Sequence, residues 1–217
     1  VNRTADSEPQ TDADLGAFKP LPRAFFDPTA DIVAPRLLGC WLLRRTPDGW
    51  RGGPIVEVEA YLAADPACHA FNGETARNRA MFGEQGRAYV YRIYGCHFCV
   101  NAVCQPHGVG EAVLIRAIEP ASGVEIMRRH RPAQRTRDLT NGPAKLCQAL
   151  SIDLALDGVD LCDAQSPLLI ASNKTPAAFL KSTGPVTTAT RVGITKAAGM
   201  PLRFYLAGSA SVSRRER

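Results

Sequence analysis

"YVYRIYGCHFCVNAVC" spans Tyr89 to Cys104, and its reading decides the fold. Cys96 and Cys99, with Cys104 close behind, suggest a zinc knuckle. Such a site needs both thiolates of its Cys-x-x-Cys pair on a tight turn. The residues after Gly95 are strand formers instead: His97, Phe98, Cys99, Val100 and Val103. In an extended strand Cys96 and Cys99 point to opposite faces. No second Cys-x-x-Cys or His-x3-His pair follows, so no metal is expected. The competing reading is a β-hairpin bent at Tyr94-Gly95. A period of two then puts Tyr89, Tyr91 and Ile93 on one face of the outgoing strand. On the return strand it groups His97, Cys99 and Asn101. Three of the chain's five tyrosines fall here, which suits either ordinary sheet packing or a surface built from rings.

Two neighbouring stretches add chemistry. In "IVEVEAYLAADPACHAF" (55–71), Glu57, Glu59 and Tyr61 alternate with Val56, Val58 and Ala60. Two carboxylates and a phenol therefore share one strand face, which runs into a loop bearing His69. A half-exposed strand with its polar side in water fits that alternation. So does a carboxylate that activates water beside rings holding a flat substrate. "NGETARNRAMFGEQGRAYVY" (72–91) sets Arg77, Arg79 and Arg87 in a Gly/Asn-rich segment next to the tyrosines. They suit phosphate contacts or a solvated loop.

Working outward, Asp27-Pro28 reads as the start of a helix carrying Ile32, Leu37 and Leu38 and ending at Gly39, with Pro35 kinking or shortening it. Strands are expected at 40–45 and 55–61, separated by the turn-rich "TPDGWRGGP". Residues 62–87 read as loop with one helical turn near 76–81. Further strands are expected at 88–94, 97–104 and 111–119, and a helix from about Ala121 to His130. Gly142-Pro143 opens another helix, with Leu146, Cys147 and Leu150 on one side. Residues 171–185 read as loop, and short strands follow at 186–194 and 202–206. The order is mixed rather than a regular βαβ alternation. It predicts an α+β single domain with a curved, mainly antiparallel sheet flanked by helices and a protruding hairpin.

The 217 residues suit one domain over residues 24–217, preceded by a polar, acidic, proline-containing segment at 1–23 that reads as a disordered tail. Residues 1–16 carry a net −3, which leaves +8 on the rest of a chain whose total is +5. A basic body suits a polyanion such as nucleic acid, although charge of this size serves solubility equally well. Seven scattered cysteines favour buried thiols in a reducing, cytoplasmic setting. "VNRTADSEPQTDADLG" has no hydrophobic segment and does not read as a signal peptide. The longest apolar run, 37–43, is far short of the ~20 residues of a membrane span.

Taken together and in order, "IVEVEAYLAADPACHAFNGETARNRAMFGEQGRAYVYRIYGCHFCVN", "AVLIRAIEP", "NGPAKLCQAL", "RVGI" and "LRFYLAGSASVS" resemble the alkyladenine (3-methyladenine, or methylpurine) DNA glycosylases from about Arg36 to Ser213. The resemblance implies base excision repair: damaged purines, alkylated or deaminated, flipped out of double-stranded DNA and hydrolysed from their sugar. It implies a monofunctional enzyme without a lyase step, needing no metal and no cofactor. It also implies a monomer of bacterial type, cytoplasmic and associated with the nucleoid when on DNA. Glu59 matches the general base, assisted by Arg116 and the backbone carbonyl of Val212. Tyr61, His69 and Tyr91 match the rings around the flipped base. Asn101 matches a pocket residue that disfavours guanine, Tyr89 lies near the His69 imidazole, and the His69 backbone N–H is expected to serve the base. Tyr94 matches the wedge that fills the vacated stack. Arg77, Arg79, Arg87 and Arg92 are candidates for the DNA backbone, and Glu57 is expected to be structural. A catalytically silent lesion binder on the same fold is the alternative, but such a protein has no need of a water-activating carboxylate.

Overall fold

A computed structural model describes residues 18–215. Residues 1–17 of the expected tail lie outside them. The last part of that segment is not tail: Phe18 stacks 4.7 Å from Trp41, and Leu21 N–H donates to the Ile170 carbonyl at 2.8 Å. Phe18 and Leu21 are isolated between polar and proline residues, so no periodicity marked them as apolar anchors.

The strands are β1 (Trp41–Thr46), β2 (Gly49–Tyr61), β3 (Ala88–Ile93), β4 (His97–Cys104), β5 (Glu111–Ile118), β6 (Leu168–Ala171), β7 (Val186–Ala189) and β8 (Arg203–Leu206). The helices are α1 (Ala30–Leu37), α2 (Val124–His130), α3 (Pro143–Leu150) and α4 (Pro176–Thr183). The fold is α+β, with one curled antiparallel sheet in the order β3-β4-β5-β2-β1-β6, and β8 joining β2 and β7. Among the described residues no helix is long and apolar enough to cross a membrane.

One face of this sheet is core. Val58 and Ala60 of β2, Val113 and Ile115 of β5, Val100 and Ala102 of β4, and Ala88 and Val90 of β3 pack there with α1 and α3. Helix α1 buries Ala30, Val33, Ala34 and Leu37, an i, i+3, i+4, i+7 stripe. That stripe differs from the expected one: Ile32 is exposed, and the helix starts after Thr29 rather than at Asp27-Pro28. In α3, Leu146, Cys147 and Leu150 are buried, with Pro143 at the start as expected.

Three segments depart from the sequence reading. Most of "TPDGWRGGP" belongs to β2, which pairs through residues 49–54 with β1 and then through 55–61 with β5. Its glycines are there for close approach: a Cβ on Gly53 would lie 1.7 Å from the Glu119 carbonyl oxygen. Residues 171–185 contain α4, opened by Pro176 at its first turn. Only Thr183 of that helix is buried, so its apolar signal is weak. The strand expected over 186–194 stops at Ala189, and the chain then leaves the sheet toward β2.

Candidate active site

Strand register assembles the site on the face away from the core. In antiparallel pairing, directly opposed residues point the same way. Tyr89 opposes Asn101, Asn101 opposes Leu114, Leu114 opposes Glu59, and Glu59 opposes Arg203. One row across five strands therefore carries a phenol, an amide, a carboxylate and a guanidinium. The neighbouring pairs are Tyr91 with Cys99 and Tyr61 with Ala112. Residues 62–87 close over this face, bringing His69 and Met81.

The result is a pocket lined by Tyr61, His69, Tyr89, Tyr91, Asn101, Met81, Ala67 and Ile194. His69 and Tyr91 meet edge to face, with centroids 4.6 Å apart and planes at 76°. The Tyr89 hydroxyl is 2.9 Å from His69 Nδ1, and Asn101 Nδ2 donates to the Tyr89 carbonyl at 2.9 Å. Burial pushes the Tyr61, Tyr89 and Tyr91 phenols up, so all three stay protonated near neutrality. His69 is lowered, first by desolvation against the pocket wall and then by the Arg77 charge, so its ring is neutral at pH 7.

Below the rings lies a buried layer of charge. Glu57 and Glu59 are both fully buried. Glu59 Oε2 accepts from the Tyr61 hydroxyl at 2.9 Å, and Oε1 accepts from Val192 N–H at 2.7 Å. Arg116 spans the two carboxylates, with Nη1 3.2 Å from Glu59 and Nε 3.1 Å from Glu57. A β-bulge in β2 between Ile55 and Val58 shifts the pairing beside Glu57. Burial works against the Arg116 charge, but Glu59 and Glu57 outweigh it and raise its pKa. Glu57 also takes Arg203 Nη1 at 3.2 Å, Ser213 N–H at 2.6 Å and Ser213 Oγ–H at 2.9 Å. Arg191 pairs with Asp65, donates to the Ala60 carbonyl at 3.0 Å and lies 4.6 Å over the Tyr61 ring.

Sequence reasoning passed over several of these groups. Val192 supplies the backbone contact to Glu59, while Val212 packs with Ala189 and Tyr205, one residue from the Ser213 anchor. Asn78 is buried and holds the His69 carbonyl at 2.9 Å and the Gly73 carbonyl at 3.1 Å. Arg191 and Arg203 are single arginines near short strands, and no local pattern marked them.

The outer candidates are more dispersed. β3 and β4 pair antiparallel through the connection Tyr94-Gly95-Cys96, where Tyr94 is 88% exposed with φ 46°. Cys96 is exposed and Cys99 buried. Among the described residues no group of three potential ligands could hold a metal ion. Arg77 donates to the Arg92 carbonyl at 3.4 Å, and both residues are exposed near Tyr91. Arg79 pairs with Glu74 at 3.6 Å. Arg87 sits at the other end of β3, committed to Glu84 at 3.2 Å and to the Gly158 carbonyl at 3.1 Å.

The family model for methylpurine-DNA glycosylase (MPG) matches residues 24–210. The chain belongs to the methylpurine-DNA glycosylase family. Its relatives include proteins provisionally named 3-methyladenine DNA glycosylase. One from Methanoculleus marisnigri is 50% identical over 195 residues, covering 90% of this chain and 99% of the relative. One from Burkholderia lata is 50% identical over 196 residues, covering 89% and 90%. One from Rhodopseudomonas palustris is 46% identical over 215 residues, covering 99% and 98%. The family match takes in every site residue named above except Val212 and Ser213, which lie two and three residues past its end.

Proposed function

We propose that this protein is a monofunctional glycosylase that removes alkylated or deaminated purines from double-stranded DNA. The observation that carries the reading is a fully buried carboxylate, Glu59, hydrogen-bonded to the tyrosine that walls an aromatic pocket. The family and the names of its relatives support the alkylated-base part of this reading.

The damaged nucleotide rotates out of the stack, and Tyr94 fills the gap it leaves. Its base enters between Tyr61, His69 and Tyr91, with the His69 backbone N–H as a donor and Asn101 excluding guanine. Alkylation at N3 or N7 makes a purine cationic, and electron-rich ring faces attract it. The neutral His69 imidazole adds no repulsion. Glu59 orients a water whose oxygen attacks C1′ and accepts its proton. The C1′–N bond breaks, and its electron pair leaves with the base, so a cationic base departs neutral. Arg116 holds Glu59, and a negative charge beside a sugar with oxocarbenium character stabilises the transition state. Val212 supports this arrangement from beside Ser213. The reaction so written uses water as the only nucleophile, with no Schiff base and no strand cleavage. Arg77, Arg79 and Arg92 serve the backbone, with Arg87 contributing least because its guanidinium is already engaged.

The test is incubation with duplexes holding one 3-methyladenine, hypoxanthine or ethenoadenine, scored for alkali-labile abasic sites. Release from at least one duplex is expected. Tight binding without release at any lesion would establish the silent binder instead.

A further inference from the structure

Ile194 lines the aromatic pocket on one side and a second, larger hollow on the other. The second hollow has a volume of about 810 Å3, against about 100 Å3 for the aromatic pocket. Its walls include Thr190, Arg191, Val192, Arg203, Arg214 and Arg215. Four arginines line this one cleft.

Carboxylates answer only part of this charge. Asp65 pairs with Arg191 and Glu57 with Arg203. Arg214 and Arg215 have no carboxylate partner among the described residues. They are held at the cleft by backbone contacts: Arg203 Nη1 donates to the Arg214 carbonyl at 2.6 Å, and Arg215 Nη2 donates to the Ser209 carbonyl at 2.8 Å. Arg191 supplies a second, independent sign. It is only 5% exposed, yet its Nε and Nη2 have no hydrogen-bond partner among the described residues. A buried guanidinium with unused N–H groups is costly unless an acceptor arrives. It stands where the cleft and the base pocket meet, over Tyr61.

We propose that this arginine cleft seats a DNA backbone phosphate next to the nucleotide whose base occupies the aromatic pocket. The inference rests on the glycosylase reading and adds a binding site to it. Guanidinium forks match the geometry and charge of a phosphodiester. Covalent continuity selects the backbone over a free anion: a base between Tyr61 and Tyr91 carries its own sugar and phosphates toward the pocket rim, where Ile194 and Arg191 open into the cleft. The site differs in place from the arginines beside β3, so the two sets would hold the strand on different sides of the flipped nucleotide.

The experiment uses the whole chain and a lesion duplex, with affinity measured from low to moderate salt. Arg214→Ala/Arg215→Ala should weaken binding about three- to tenfold near 150 mM salt and reduce the salt slope by about 1, the share of one phosphate. Removing two charges elsewhere, with Arg135→Ala/Arg137→Ala, should leave the slope near that of the parent. Single methylphosphonates placed along the strand locate the contact. One within about two nucleotides of the lesion should weaken the parent but not the Arg214/Arg215 variant. Inorganic phosphate at tens of millimolar should not protect against this loss. An unchanged slope in the variant would overturn the proposal. So would equal losses in the two double variants, equal sensitivity of parent and variant to every methylphosphonate, or saturation of the cleft by inorganic phosphate. Excision by the parent on the same duplex is measured alongside, which separates failure of the cleft from failure of the glycosylase reading.

Discussion

The layer beneath the aromatic pocket and the tip of the β3–β4 pair are built on opposite physical terms. In the layer, Glu57, Glu59, Asp65, Arg116, Arg191 and Arg203 are all buried. They are tied by ion pairs that join β2, β5, β8 and two loops. At the tip, Tyr94 is almost wholly exposed in left-handed backbone, and a Cβ on the neighbouring Gly95 would meet nothing within 4 Å. Burying charge costs several kcal/mol per ion unless geometry and hydrogen bonds compensate, so the layer tolerates little rearrangement. Exposing a tyrosine forgoes about 2 kcal/mol of burial, which makes sense where another molecule provides the contact. One region fixes atoms, and the other offers a side chain outward.

The sharpest test of this contrast is Glu59→Gln. The amide keeps the size and the Tyr61 contact but is far too weak a base to take a proton from water. Single-turnover excision should fall by about 10²–10⁴-fold while lesion binding persists. Full activity would remove Glu59 from the chemistry. Next in size is Glu57→Gln, which leaves Arg116 and Arg203 sharing one fewer carboxylate in a dry environment. A loss of about 2–4 kcal/mol in urea unfolding is expected, somewhat below the cost of deleting a buried ion-pair partner outright. Unfolding at the parent's midpoint would show that the layer is not a stability element.

These two residues also mark what the amino-acid order discloses. Glu57, Glu59 and Tyr61 were legible because a period of two survives in a paired strand. The faces of β3 and β4 were legible by the same period, but their register was not: a two-residue bend at Tyr94-Gly95 would oppose Tyr91 to Phe98, whereas the connection also takes in Cys96 and opposes Tyr91 to Cys99. Of the buried salt bridges around Glu57 and Glu59, the one through Arg116 was anticipated by the family resemblance, and the others were not legible. Asp65 finds Arg191, and Glu57 finds Arg203, across more than a hundred residues, by closure of the whole sheet and by no local pattern. Val192 was hidden because its segment reads as a continued strand, whereas it leaves β7 to reach Glu59. The glycines at 52 and 53 read as turn punctuation, although their work is to let β2 pass close to the Leu42 and Glu119 carbonyls. Helix α4 was missed because a helix with only one buried residue leaves no stripe to count.

Tyr94 sharpens the comparison from the other side. Its exposure predicts that Tyr94→Ala shifts stability by no more than about 0.5 kcal/mol. Excision from duplex should nevertheless fall by about tenfold, because flipping a base costs a few kcal/mol that the wedge offsets. Single-stranded substrate, which has no stack to fill, should show a smaller penalty. Equal penalties in both substrates would contradict the wedge. Tyr94→Gly should unfold slightly later than Tyr94→Ala, since a left-handed φ costs a residue with a Cβ about 1–2 kcal/mol.

The smallest effect belongs to His69, which stands between the two regions: exposed at the pocket mouth, yet partly desolvated by its wall. Its folded pKa is lowered, first by that desolvation and then by the Arg77 charge. An unfolded histidine titrates near about 6.5. From that value down to the folded one, the unfolded chain binds more protons than the folded chain, so unfolding free energy rises with pH through this window. The His69 contribution is therefore complete above about pH 6.5 and declines as the solution is acidified. His69→Gln has no such titration. The midpoint difference between the parent and His69→Gln in urea should shift in the parent's favour from pH 5 to pH 7.5. Solvent at the pocket mouth keeps the shift small. A difference that stays constant over that range would mean the imidazole feels neither the pocket wall nor Arg77, and would assign the pocket mouth to the open, outward-facing region with Tyr94.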